Sequence, residues 1–421
     1  MDQEMSLDME ELNKRRVERH LRRQQMNAKK RRKRTISMVA ASLLLIALGA
    51  GVFFLLRMEE QAEPETQQQV THSGDVASAE DTVIHLVAAG DVNVTDSIVA
   101  SGGAEYDYTN TFLDVAHLLA EGDITVANFE GNLCGSPYGS TSRSAPQSLM
   151  DVLGRSGVDL VQLANSYSIN QGISGLQATI QGVKDAGMEP LGVYADERAY
   201  KAGKGYTIKE VEGIKIAFVA FTKGMDGMTL PKGSEHCVNV LYSDYDSTYQ
   251  DIDTKAIHAV LDAVEAEKPD LTVAMLHWGS EYNDTISKTQ KSIVSMMQER
   301  GVDAILGTHP HYVQQMTYDP ETGNFVAYSL GDLLSDGSRS GTEYSVILNL
   351  EITKSDGNTK ITGYTYTPIF TVAERGSTIR SVRIAESMNA YDSNYLKRVT
   401  ESTYNAMIYA LQRIEARIKG E

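Results

Sequence analysis

From Thr82 onward, short β-branched apolar runs alternate with stretches whose apolar positions recur every three to four residues. Val83–Ala89, Ile124–Ala127, Leu160–Leu163, Ile214–Phe221, Leu271–Leu276, Ala304–Leu306 and Phe325–Leu330 predict strands. Their continuous apolarity predicts sheets that are largely buried. Ile173–Ala186, Thr254–Ala266 and Lys288–Arg300 predict intervening helices. Strands interleaved with helices specify an α/β domain. Tyr344–Ile352 and Lys360–Tyr366 alternate in a more antiparallel manner, and Ser393 to Ile418 predicts an amphipathic helix packed on the domain surface.

The chain before Thr82 has a different texture. Ile36 to Leu56 is a 21-residue apolar run without a charge, long enough to span a bilayer as a helix. Lys29-Lys30-Arg31-Arg32-Lys33-Arg34 precedes it, so the positive-inside rule places the N-terminus in the cytoplasm and the main domain outside the cell. The basic segment and the apolar run are both long for a cleaved signal peptide, and no small-residue cleavage site follows Leu56. An uncleaved single-pass anchor is expected. Met58 through Asp81, rich in Glu, Gln, Ser and Thr, reads as a flexible linker. The expected organisation is a basic cytoplasmic segment (1–34), a transmembrane anchor (35–57), a linker (58–81), one α/β domain (82–372) and a helical C-terminal tail (373–421).

Charge narrows the partners. Residues 1–34 carry 12 Lys/Arg against 6 Asp/Glu; removing this +6 from the net −17 leaves −23 for residues 35–421. An acidic folded body excludes nucleic acid as a partner, and it repels an anionic polymer unless a metal or a local basic patch intervenes. Cys134 and Cys237 are the two cysteines, enough for one disulfide or two free thiols.

Candidate chemistry sits where the predicted strands end. Gly307-Thr308-His309-Pro310-His311 follows a buried run. Pro310 biases His309 toward an extended conformation, in which positions i and i+2 point the same way, so both imidazoles are expected to project together. Gly90-Asp91, Asn128-Phe129-Glu130 and His277-Trp278-Gly279-Ser280-Glu281-Tyr282 end three other strands. Ligands of open α/β sheets gather beyond the carboxyl ends of strands, where these elements can converge. Each has a plainer reading: Asp91 as a helix N-cap, Glu130 as a solvated carboxylate, His277 as a satisfied core histidine. Their joint occurrence argues against all three. Two carboxylates and three imidazoles suit Zn, Mn or Fe better than Mg.

This ordered series, with Leu163-Ala164-Asn165 and Tyr328-Ser329-Leu330-Gly331, resembles the CapA family: capsule-biosynthesis proteins tied to poly-γ-glutamate, built on the calcineurin-like metallophosphatase fold. The resemblance covers about residues 82–335. It implies a four-layer α/β/β/α sandwich and a centre of one or two divalent ions held by Asp91, Glu130, His277, His309 and His311, with Asn128 nearby. It also implies a membrane setting, partners among capsule or polymer synthesis proteins, and an anionic polymer or phosphoester as substrate. Where the family has Ala-Asn-Asn-His, this chain has Ala164-Asn165-Ser166-Tyr167, and Ser-Leu-Gly-Asn becomes Ser329-Leu330-Gly331-Asp332. The expectation is one weakened half-site beside a surviving His277/His309/His311 half. Two roles follow: an accessory in capsule or poly-γ-glutamate synthesis or export, or a metal-dependent hydrolase in which His277 polarises substrate and Tyr167 protonates the leaving group.

Overall fold

The computed structural model describes residues 81–373, 379–392 and 399–421. The expected basic segment, anchor and most of the linker lie outside the described residues. No helix among the described residues is long and apolar enough to cross a membrane.

Two sheets form the body. Strands β1 (Thr82–Asn93), β2 (Ile124–Glu130), β3 (Leu160–Gln162) and β4 (Glu189–Leu191) lie side by side and parallel in the first. In the second, β5 (Tyr206–Val211) pairs antiparallel with β6 (Ile214–Thr222), which continues in parallel to β7 (Leu271–His277) and β8 (Ala304–Thr308). The short β9 (Met316–Tyr318) and β10 (Phe325–Ala327) complete its far edge. The chain then returns to the first sheet, where β11 (Asp332–Leu334) runs parallel to β1 and β12 (Tyr344–Ser355), β13 (Asn358–Ala373) and β14 (Ile379–Arg383) extend the sheet antiparallel.

Side-chain alternation explains the layering. On β1, Ile84, Leu86 and Ala88 share one core with Ile216, Phe218 and Ala220 of β6, so the sheets pack face to face. The intervening Val87 and Ala89 pack outward on helices α3 (Gln147–Arg155) and α4 (Gly172–Asp185) through Leu149, Leu153, Leu176 and Val183. Two short helices, α1 (Asp96–Ser101) and α2 (Ala116–Leu119), precede them in the chain. On the opposite side, Ala217, Val219 and Phe221 pack with Ile257, Leu261, Ile293 and Met297 of α6 (Thr254–Glu267) and α7 (Lys288–Glu299); α5 (Glu197–Gly203) lies between β4 and β5 in the chain. The layers are therefore helix, sheet, sheet, helix. Both faces of the central strands are buried, which is why these strands read as unbroken apolar runs. Each fully buried Leu, Ile or Phe contributes roughly 1.5–3 kcal/mol relative to exposure.

Two sequence expectations need correction. Phe325–Leu330 is not one strand: β10 ends at Ala327, and Tyr328–Gly331 carries the chain across to β11 in the other sheet. An apolar run does not distinguish a strand from a buried crossing between sheets, and Gly331 turns the chain at φ +77°. Nor is the tail beyond residue 372 purely helical. It supplies β14 before helices α8 (Ile384–Asp392) and α9 (Glu401–Lys419), because Ile379 and Val382 face opposite sides of a short strand and both are buried. Met407, Ala410 and Ile414 of α9 enter the core shared by the two sheets, so this helix is part of the body.

Candidate metal centre

Register brings the polar residues abreast. Asp91 of β1 lies opposite Asn128 of β2 on one side and Asp332 of β11 on the other. On the second sheet, His277 ends β7 beside Thr222 of β6 and Thr308 of β8. The parallel strand ends of both sheets thus point carboxylates and imidazoles into one buried space. The backbone approaches closely here. A Cβ on Gly90 would stand 1.8 Å from the carbonyl oxygen of Gly331, and one on Gly307 would stand 1.9 Å from that of Tyr328.

Asp91, Asn128, Glu130, His277, His309 and His311 are all buried, at 4% exposure or less. They form two groups whose donor atoms lie within 4.8 Å of one another: Glu130, His277 and His309 in one, Asp91, Glu130 and His311 in the other. Glu130 is common to both. Its Oε1 is 2.8 Å from His277 Nε2, and Oε2 is 3.8 Å from His311 Nε2. Asn128 Nδ2 donates to Asp91 Oδ1 at 2.7 Å and lies 3.3 Å from Glu130 Oε1, fixing both carboxylates. Asn165 in turn donates to Asn128 Oδ1 and to the Phe129 carbonyl.

The histidine pair reaches the site by a route other than the expected one. His309 has φ +91° and His311 φ +59°, so neither is extended. Two departures from β geometry, on either side of Pro310 and at a cost of order 1–3 kcal/mol each, aim the rings into different groups. The Asp91 carboxylate holds the first departure by accepting from the His309 backbone N–H at 3.1 Å. The three imidazoles therefore do not gather as one surviving half. His277 and His309 serve one group, and His311 serves the other.

Asp332, noted in the sequence as a departure from the family pattern, belongs to this site. Its Oδ1 is 2.8 Å from His311 Nδ1, and Asp91 Oδ2 is 3.5 Å from the same nitrogen. Thr222 Oγ1 meets His277 Nδ1 at 3.1 Å, and the Tyr282 ring stacks on His311 with centroids 5.2 Å apart. A carboxylate ending an apolar run was the signal for Asp332. Thr222 and Tyr282 carried none.

Electrostatics set the two groups apart. Burial pushes Asp91 up to about 7, with Glu130 adding to the rise; burial likewise raises Glu130, and it raises Asp332 to about 6. His277 falls to about 3 and His309 also falls, both chiefly by burial. Burial opposes charge on His311 too, yet Asp332 and Glu130 outweigh it and hold that imidazole protonated. Three carboxylates thus face a single protonated histidine.

A divalent ion fits this donor set. Neutral imidazoles and carboxylates are the right species for ligation, and added positive charge relieves the crowding of buried carboxylates. His309 Nδ1 is buried with no hydrogen-bond partner. His277 Nδ1 meets Thr222 and His311 Nδ1 meets Asp332, the arrangement that orients a ligating imidazole, while the Nε2 of each faces Glu130.

The remaining expected residues lie at the rim. Tyr167 is partly buried, with the Arg143 guanidinium 4.1 Å above its ring. Burial and then Glu130 push its phenol upward, so it stays protonated and is a weak proton donor at neutral pH. Ser166 lines a cavity of about 300 Å³ with His309 and Lys223. Cys134 and Cys237 are both free.

Residues 85–337 match the family described as "Bacterial capsule synthesis protein PGA_cap". The "Capsule biosynthesis protein CapA" of Bacillus anthracis is 25% identical over 288 residues, covering 66% of this chain and 66% of that one. The "PGA biosynthesis protein CapA" of Bacillus subtilis (strain 168) is 24% identical over 312 residues, covering 69% and 72%. Among solved structures, the calcineurin-like phosphoesterase YfkN of Bacillus subtilis is similar at 15% identity and a TM-score of 0.43, covering 79% of this chain and 99% of that one. The matched segment runs from β1 to just past β11 and contains every residue of the buried site, so the chain belongs to the PGA_cap family of bacterial capsule synthesis proteins.

Proposed function

We propose that the protein is a membrane-anchored, extracytoplasmic member of this family, taking part in synthesis or export of a capsule or poly-γ-glutamate polymer through a retained divalent-metal centre. The reading rests on one observation above the rest: two buried ligand groups meet at Glu130. A noncatalytic relic has no need to keep both groups and the hydrogen bonds that orient them. Mn, Fe and Zn are the metals this mixed oxygen and nitrogen set favours. Asp91, Glu130, His277, His309 and His311 would hold them, with Asn128 and Asp332 orienting the ligands. The anchor at residues 35–57 places the body outside the membrane, where its partners are other polymer-synthesis proteins.

The same observation favours a second reading, a metal-dependent hydrolase of metallophosphatase type acting on a phosphoester or γ-glutamyl bond. Bound divalent ions supply Lewis acidity and acidify water. The chain's own residues confine the reacting group beneath Tyr282, keep His277 oriented through Thr222, and offer Tyr167 as a hydrogen-bond donor rather than a strong acid.

Elemental analysis of the purified chain tests the centre. One or two equivalents of Mn, Fe or Zn, lost in a His309→Ala/His311→Ala variant, are expected; a metal-free wild-type chain that folds would refute both readings. Deleting the gene in its host and restoring the wild-type or the double variant then separates them from a merely structural metal. Polymer yield should return with the wild-type alone. Hydrolysis is read from shortening of purified poly-γ-glutamate and from release of nitrophenol from bis-p-nitrophenyl phosphate.

A further inference from the structure

Outside the metal ligands, one arrangement brings two cations to the mouth of the centre. Arg143 and Arg339 come from distant loops and line the same cavity of about 250 Å³, whose wall includes His311, Tyr167 and Tyr282. Each guanidinium lies over a tyrosine ring: Arg143 at 4.1 Å from the Tyr167 centroid, Arg339 at 3.9 Å from the Tyr282 centroid. Stacking occupies the faces of a guanidinium and leaves its edge donors free. Among the described residues, neither arginine forms an ion pair with a carboxylate. Arg143 gives one donor to the Val94 carbonyl. Of the two acids in the wall, Asp332 is committed to His311, and Asp336 accepts from the Ser338 backbone N–H.

Both arginines are presented on hydrogen-bonded loops. Arg143 has φ +53°, its N–H donates to the Gly139 carbonyl, and its own carbonyl accepts from Asn132. The Arg339 carbonyl accepts from Thr342, and the neighbouring Ser340 carbonyl accepts from the Tyr312 hydroxyl. Two unpaired cations held this way in a body of strong net negative charge require a purpose other than solubility. A liquid water occupies about 30 Å³, so the cavity has room for a group of several heavy atoms.

We propose that Arg143 and Arg339 form an oxyanion subsite beside the His311 half of the centre, gripping a carboxylate or phosphate of the ligand that is not its reacting group. Arginine's planar fork matches both anions bidentately. The ligand therefore carries at least two anionic or polarised groups: one at the metal ligands, one between the arginines. This rests on the metal-centre reading only for where the reacting group lies; the arginine site itself needs no metal.

The test uses the full-length chain stripped of metal with EDTA and then freed of the chelator, so that no metal ion competes with the arginines for the probe. Glutarate and inorganic phosphate are titrated separately by calorimetry against the wild-type, Arg143→Met, Arg339→Met, the two Lys variants and Arg300→Gln. Arg300 is a control, since it pairs with Asp262 away from this cavity. Binding of at least one probe is expected, weakened about tenfold by each Met substitution, less by Lys, and unchanged by Arg300→Gln. Tighter glutarate identifies a carboxylate ligand and tighter phosphate a phosphorylated one. Should Arg143→Met fail to fold, Arg143→Lys and the exposed Arg339→Met carry the result. No binding of either probe, or equal binding by wild-type and Arg339 variants, overturns the proposal. Metal content, measured separately, fails or succeeds independently of this outcome.

Discussion

The two ligand groups of the buried centre use the same kinds of side chain and reach opposite charge states. On one side His277 and His309 are pressed toward neutrality by burial, with Thr222 touching the far nitrogen of one ring and nothing touching Nδ1 of the other. On the other, His311 is equally enclosed but wedged among Asp332, Glu130 and Asp91, and it holds its proton. Residue type alone does not set the role of a buried histidine; the number of carboxylates around it does. An ion entering the first group displaces no proton from its imidazoles, whereas an ion entering the second must expel one. The two groups should accordingly fill at different pH.

The largest perturbation of this pair of groups is at the residue they share. Glu130→Gln should empty both, lowering metal affinity by on the order of 100-fold or more, while the metal-free protein stays as stable as wild-type or gains, since a buried carboxylate is removed. Metal content and thermal melting with and without EDTA measure the two effects. Next, His309→Ala and His311→Ala should each cost one equivalent of metal rather than two. If either single variant loses all metal, the groups do not act separately.

Asp332→Asn should act on one side only, weakening metal by about 10- to 100-fold at the His311 group and leaving the other filled. The pH dependence is milder. Asp91 is raised from 3.8 to about 7 in the folded chain, so folding takes up a proton. The contribution of this group to the stability of the EDTA-treated protein is fully present where the unfolded carboxyl is still protonated and is lost as pH rises through about 7. Added metal should restore most at the alkaline end. Because His277 and His309 are lowered and act in the opposite sense below about pH 6.5, the Asp91 share is read as the difference between wild-type and Asp91→Asn; superimposable pH profiles of the two would contradict it. Smallest of all, a reductant should leave the melting temperature unchanged within about 1 °C, because Cys134 and Cys237 are both free.

Much of this was legible in the sequence. The strand ends bearing Asp91, Glu130, His277, His309 and His311 stood out because polar residues abruptly end runs buried on both faces, and Asn128 followed from period-two alternation with Glu130. Three things escaped. The left-handed backbone at His309 and His311 was hidden because a preceding-proline rule speaks for isolated peptides, while here the Asp91 carboxylate fixes the His309 N–H. Asp332 was visible as a residue but not as part of the site, because Phe325–Leu330 looked like one strand and concealed the crossing that delivers it to the first sheet. Arg143, Tyr282 and Arg339 lie on loops with no periodicity, and their convergence is a property of three-dimensional closure alone.

The crossing at Tyr328–Gly331 also bears on how the protein is made. Asp91 precedes Asp332 by most of the folded chain, and β1 finds its neighbours β11 and β12 only after the whole of the second sheet has been synthesised. Asp91 and Glu130 come from the first two strands, but each ligand group also needs a histidine from position 277 onward, so neither is complete until the second sheet has been made. A chain interrupted before His277 therefore holds carboxylates at this place but no imidazole, and the nitrogen donors that favour Mn, Fe or Zn over Mg arrive last.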